Sequence, residues 1–156
     1  MTLATLAIHT ESWLQEELGA QRALLLALEK IDAAARAGSG AGIESGTREL
    51  AELVALAGPR EARRHALLAR LAGELGLPLA QLTLTKVAQR LDAAALETTR
   101  LAGLRTELRE VAARVLKAGR ALAAVARYHR GLLTEICELF LSQAPEGERH
   151  LLDARA

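Results

Sequence analysis

Apolar positions along this chain keep a helical period over most of its length. Between Leu3 and about Ala35, Leu14 and Leu18, then Leu24, Leu28, Ile31 and Ala35, recur at three-and-four spacing, the stripe of an amphipathic helix. Gly38-Ser39-Gly40-Ala41-Gly42 follows, with no side chains able to hold a helix, and predicts a hairpin loop that returns the chain. A second helix is predicted over about Glu44 to Leu75. It carries Leu50, Leu53, Val54 and Leu56 before Gly58-Pro59, and Leu67, Leu68, Leu71 and Leu75 after it. The Gly-Pro pair should kink or interrupt it. Gly76-Leu77-Pro78 then offers a left-handed cap with a proline just beyond. Thr83 or Thr85 can cap a short helix through Val87 and Leu91 that leads toward the next.

From Leu101 onward the pattern is a heptad seam. Leu101, Leu104, Leu108, Val111, Val115, Ala118, Leu122, Val125, His129, Leu132, Ile136 and Leu139 alternate steps of three and four without a slip. Running from about Asp92 to Ser142, such a helix has about 50 residues and is about 75 Å long at 1.5 Å per residue. That is longer than the earlier helices can cover as an antiparallel hairpin, so one end is expected to project beyond them. The fold class predicted is all-α, an elongated antiparallel helical bundle or coiled coil of about three helices with one very long C-terminal helix. One helical domain is expected over 1–143, followed by a flexible tail over 144–156, where Ala144-Pro145-Glu146-Gly147-Glu148 breaks the pattern.

Composition narrows the function classes. The 156 residues are 51% hydrophobic but only 2% aromatic, so the apolar share is nearly all Leu and Ala, which favours helix and leaves little for a sheet. A formal charge of +1 and three aromatics, Trp13, Tyr128 and Phe140, give no global attraction to nucleic acid and no base-stacking platform. No apolar window reaches the roughly 20 residues a bilayer requires, because Glu16-Glu17 and Glu29-Lys30 bracket the run Ala23–Leu28. No membrane insertion is expected. A lone Cys137 and an N-terminus without a basic stretch or signal-peptide core predict a cytoplasmic protein. Charge is sorted along the last helix. Arg100, Arg105, Arg109, Arg114, Lys117, Arg120, Arg127 and Arg130 make its middle basic, and Glu135 and Glu138 make its end acidic. The basic face is expected to pair with Glu11, Glu16 and Glu17 of the first helix, or else to guide a partner's register.

Candidate chemistry is sparse. His9, His65, His129 and His150 share no spacing that would place two metal ligands on one helix face, and His129 and Cys137 are two turns apart. Gly38-Ser39-Gly40 lacks both the spacing and the strand of a nucleophile elbow, and no phosphate loop is present. His65-Ala66-Leu67-Leu68-Ala69 looks like the phosphoacceptor stretch of histidine phosphotransfer domains. Leu68 and Ala69, however, stand where that family has a Lys and a Gly, and Leu cannot balance a phosphoryl charge, so a surface His beside Arg63 and Arg64 is the expectation. His129 inside the seam is of the kind that sets helix register at some cost in stability. No catalytic residue, cofactor or metal is predicted, and the chain is not expected to be an enzyme.

Four stretches resemble the FlgN-type flagellar export chaperones. Arg63-Arg64-His65-Ala66-Leu67-Leu68 leading to Leu75-Gly76-Leu77-Pro78 is similar to that family's ending of the second helix, and Leu82-Thr83-Leu84-Thr85-Lys86-Val87-Ala88-Gln89-Arg90-Leu91 to its start of the third. Arg130-Gly131-Leu132-Leu133 takes the place of its long-helix motif, without the asparagines, and Leu152-Asp153-Ala154-Arg155-Ala156 resembles its tail, with Leu152 for Tyr and Ala156 for Gly. The resemblance implies a cytoplasmic chaperone, without ATP or metal. It would bind the C-terminal helical segments of hook-filament junction (hook-associated) proteins, prevent their premature assembly and bring them to the flagellar export apparatus. The residues independently offer a groove for an amphipathic helix. Its expected apolar floor is Leu122, Val125, His129, Leu132, Ile136 and Leu139 with flanking Leu133 and Phe140, and Phe140 and Leu132 are the expected anchors. Two alternatives use the same residues differently: a self-associating coiled-coil structural or adaptor protein, in which the seam makes a homodimer, and a phosphotransfer-like bundle labelled on His65.

Overall fold

The computed structural model describes residues 3–93 and 99–143, and these are helical without strands. They form α1 (Leu3–Arg36), α2 (Gly40–Ala55), α3 (Ala57–Leu75), a single 3₁₀ turn (Leu79–Gln81), α4 (Leu84–Ala93) and α5 (Thr99–Gln143). The predicted all-α architecture with a long final helix is what is found. α5 holds 45 residues. Asp92 belongs to α4, while the junction at 94–98 and the tail 144–156, with His150 and the Leu152–Ala156 stretch, lie outside the described residues. The chain divides into two compact units, Met1–Ala118 and Gly119–Ala156, a division that falls inside the span expected as one domain.

In the first unit, α1 turns back on itself through a loop shorter than the glycine run suggests. Helix α1 continues to Arg36, Gly38 takes a left-handed φ of 66°, and Ser39 caps α2, accepting from the Gly42 N–H at 3.2 Å. Gly40 and Gly42 are therefore already helical, and α2 begins four residues before the predicted Glu44. The reason is tertiary. A Cβ on Gly42 would lie 2.9 Å from Ala34 Cβ, and one on Gly46 2.7 Å from Ile31 Cγ1, so these glycines let the two helices close up. The Lys30–Glu49 ion pair at 2.8 Å fixes the same antiparallel register.

Further along, α3 continues this antiparallel track down α1, with Arg60 to Glu17 at 3.8 Å and Arg63 to Glu16 at 3.3 Å. The predicted interruption sits at Leu56, just upstream of Gly58-Pro59. Pro59 cannot donate to the carbonyl four residues before it and its ring crowds that carbonyl, so the helix restarts with Pro59 in its first turn. Gly76 ends α3 at φ 61°, and the Leu77 N–H closes the cap on Ala72 O at 3.0 Å. Of the two candidate threonines, Thr83 caps α4, its Oγ1 accepting from the Lys86 N–H at 3.2 Å, while Thr85 Oγ1 accepts from Arg105 at 2.7 Å.

The core collects Leu6 and Leu14 of α1, Leu71 of α3, Val87 and Leu91 of α4 and Leu101 of α5, all buried, with Trp13, Leu67, Leu104 and Leu108 packed around them. Thr10 is buried among them and is satisfied by donating to Leu6 O at 2.7 Å. Toward the other end of α1, Leu25 is buried where Leu24 was expected, together with Leu28 and Ile31. α1 and α5 run parallel, as first and third arms of an up-down-up bundle must. Ion pairs join Glu11 to Arg100 at 2.9 Å, Arg22 to Glu107, and Glu29 to Arg114 at 3.3 Å. This corrects one expectation: Glu16 and Glu17 pair with Arg63 and Arg60 of α3, and only Glu11 of the three meets the basic helix.

Candidate functional site

Every expected partner-binding residue falls on the last part of α5, in the second unit. Over 119–143 the helix contains no proline, and its Leu, Ala and Arg content favours helix. At 100° per residue, Leu122, Val125, His129, Leu132, Ile136 and Leu139 lie within about a 100° arc, with Leu133 at its edge, so the backbone brings the named set onto one stripe. Phe140 lies on the same side by position, and its side chain is outside the described residues.

Burial changes along the seam. Its N-terminal members are covered, Leu101 at 5% exposure and Val111 at 7%. The C-terminal members are open, with Val125 at 43%, Leu132 at 37%, Ile136 at 39% and Leu139 at 60%. Leu122 is intermediate, and His129 and Leu133 are exposed. Fully burying one such aliphatic side chain is worth about 1.5–3 kcal/mol, so the stripe holds a substantial unused driving force for association. Tyr128, which the heptad argument passes over, is exposed beside the stripe and meets the His129 ring edge-on, with centroids 5.8 Å apart. Its signal in the sequence was an aromatic residue flanking a seam position, in a chain with few aromatics.

Charge separates the same two stretches. Arg100 and Arg114 are engaged with α1 and Arg105 with Thr85, whereas Lys117, Arg120, Arg127, Arg130, Glu135 and Glu138 join no ion pair among the described residues. By the same 100° spacing, Lys117 and Glu135 flank the stripe, while Arg120, Arg127, Arg130 and Glu138 lie toward the opposite side of the helix.

His65 is exposed on α3 with its Nε2 3.0 Å from a Glu61 carboxylate oxygen, a position where a phosphoryl group would meet negative charge. Glu61 is also gripped by Arg64, whose hydrogen bonds hold the Glu61 carboxyl below its ordinary value, helped by the guanidinium's charge and by the neighbouring His65. Cys137 is free and exposed. Among the described residues no three His, Cys, Asp or Glu side chains come together as a metal site, and no helix is long and apolar enough to cross a membrane. A shallow groove of about 420 Å³ between α1 and α3, lined by His9, Trp13, Glu16, Arg63, Leu67 and Arg70 among others, escaped the sequence reading because it exists only through the pairing of those helices. No family model, characterised protein or solved structure matches this chain.

Proposed function

We propose that this chain is a cytoplasmic, non-enzymatic flagellar export chaperone. It seats the C-terminal helical segment of a hook-filament junction protein on the stripe from Leu122 to Phe140, keeps it from assembling early and carries it to the export apparatus. The observation that carries this reading is the exposure of Val125, Leu132, Ile136 and Leu139 on a helix whose earlier seam residues are buried. An amphipathic helix added to that stripe would continue the seam with the same knobs-into-holes spacing. The identity of the client comes from the resemblance of four stretches of the sequence to FlgN-type chaperones. Against phosphotransfer at His65 stand Leu68 and Ala69 at the positions that should accommodate a phosphoryl group, and the Glu61 carboxylate already on the imidazole.

The test is capture of purified junction-protein C-terminal segments by the full chain and by a Leu132→Asp/Leu139→Asp variant. Placing two carboxylates in the buried centre of the complex should weaken capture on the order of 100-fold or more. The helical circular-dichroism signal should stay intact. Equal capture by both forms rejects the stripe, and no capture by either rejects the client.

A further inference from the structure

The groove between α1 and α3 carries a charge that its own two helices leave unanswered. Arg60 lies 3.8 Å from Glu17 and Arg63 3.3 Å from Glu16, so at these levels a guanidinium of α3 meets a carboxylate of α1. Seven residues, two helical turns or about 10 Å, lead from Glu16 back to His9 on α1 and from Arg63 on to Arg70 on α3. The antiparallel track therefore sets His9 opposite Arg70, and both line the groove. An imidazole stands where the preceding levels have a carboxylate, and neither His9 nor Arg70 joins an ion pair among the described residues.

We propose that this level of the groove binds a carboxylate carried on an apolar group. The planar fork of Arg70 matches the two oxygens of a carboxylate, and the His9 imidazole and the Ser12 hydroxyl line the same groove as further donors. Trp13 and Leu67, half-buried and packed against the core, supply an apolar floor beside them. The groove's volume of about 420 Å³ is that of a site for a small ligand or a few residues of peptide. One unpaired guanidinium balances one negative charge, and Glu16 at the other end of the groove disfavours a dianion such as phosphate. A free small acid and the terminus of a peptide both carry this chemistry, and binding strength separates them.

The site is built wholly from α1 and α3, so it stands whether or not the stripe of α5 takes a client.

Trp13 is the only tryptophan of the chain, so its fluorescence reports on this groove directly. The full chain is titrated with 4-methylpentanoate and with a short acetylated peptide ending in leucine, each as the free acid and as the amide. Both acids should shift the Trp13 emission saturably and both amides should leave it unchanged. Arg70→Gln, an exposed substitution that keeps a good helix former, should weaken the acids about tenfold or more by removing a charge-assisted pair of hydrogen bonds. His9→Ala should weaken them less. A peptide acid that binds at least about tenfold more tightly than 4-methylpentanoate assigns the site to a peptide terminus, and equal or weaker binding assigns it to a free acid. No saturable shift with either acid up to about 50 mM overturns the proposal. So does binding of the amides or of inorganic phosphate as tight as that of the acids, or an Arg70→Gln chain of native circular dichroism that binds the acids unchanged.

Discussion

The two stretches of α5 on either side of Ala118 carry one hydrophobic pattern and meet different fates. Up to Val111 the seam residues pack into the first unit, and Arg100, Arg105 and Arg114 reach Glu11, Thr85 and Glu29. From Val125 the same three-and-four spacing continues, but the side chains are exposed and the basic residues join no ion pair. A heptad pattern states that a helix has an apolar face. It does not state what covers that face, because cover is decided by the length and register of other helices.

The sharpest way to break this comparison is to truncate one seam residue on each side. Leu101→Ala should cost about 2–5 kcal/mol of stability, since it empties a site shared with Leu6, Leu71 and Leu91. Leu132→Ala, in dilute protein without client, should stay within about 0.5 kcal/mol, as exposed substitutions do. Urea unfolding of the two variants checks this. Equal losses would mean that the distal seam is covered in the native chain.

Glycines sharpen the contrast at a smaller scale. Gly46→Ala drives a methyl to 2.7 Å from Ile31 Cγ1 and should cost about 1–3 kcal/mol by forcing α1 and α2 apart. Gly131→Ala meets nothing within 4 Å, and should firm the distal helix by about 0.5–1 kcal/mol, read as slower amide exchange over 119–143. A destabilising Gly131→Ala would show that something packs closely there.

What the sequence disclosed follows the range of the interactions involved. The caps at Gly76 and Thr83 were legible because each is a local exchange of hydrogen bonds within a few residues. The helical stripes were legible from their period, and so was the candidate surface as a set of residues. The start of α2 was not, because Gly42 looks like a loop residue until Ala34 is seen close against it. The same holds for the burial of Leu25 in place of Leu24, and for the partners of Glu16 and Glu17, which depend on how α3 lies against α1. Tyr128 was passed over because a flanking position counts only once the stripe beside it is known to be open.

The smallest expected effect concerns acid stability, and lies wholly in the first unit. Hydrogen bonding to Arg64 lowers the Glu61 carboxyl in the folded chain below its ordinary value of 4.5. A carboxylate lowered on folding contributes stability above its unfolded value, and that contribution is lost as pH falls through the folded one. Glu61 is exposed, so solvent screening keeps the contribution slight. Glu61→Gln should therefore leave the melting temperature nearly unchanged at neutral pH and flatten its decline just below pH 4.5. Thermal melts at closely spaced pH values would read this, with Arg64→Gln expected to give the same flattening. If Glu61→Gln leaves the acid limb as steep as before, the ion pair is not held in solution, and α3 carries the first unit's packing through Leu67, Leu68 and Leu71 without electrostatic help at this point.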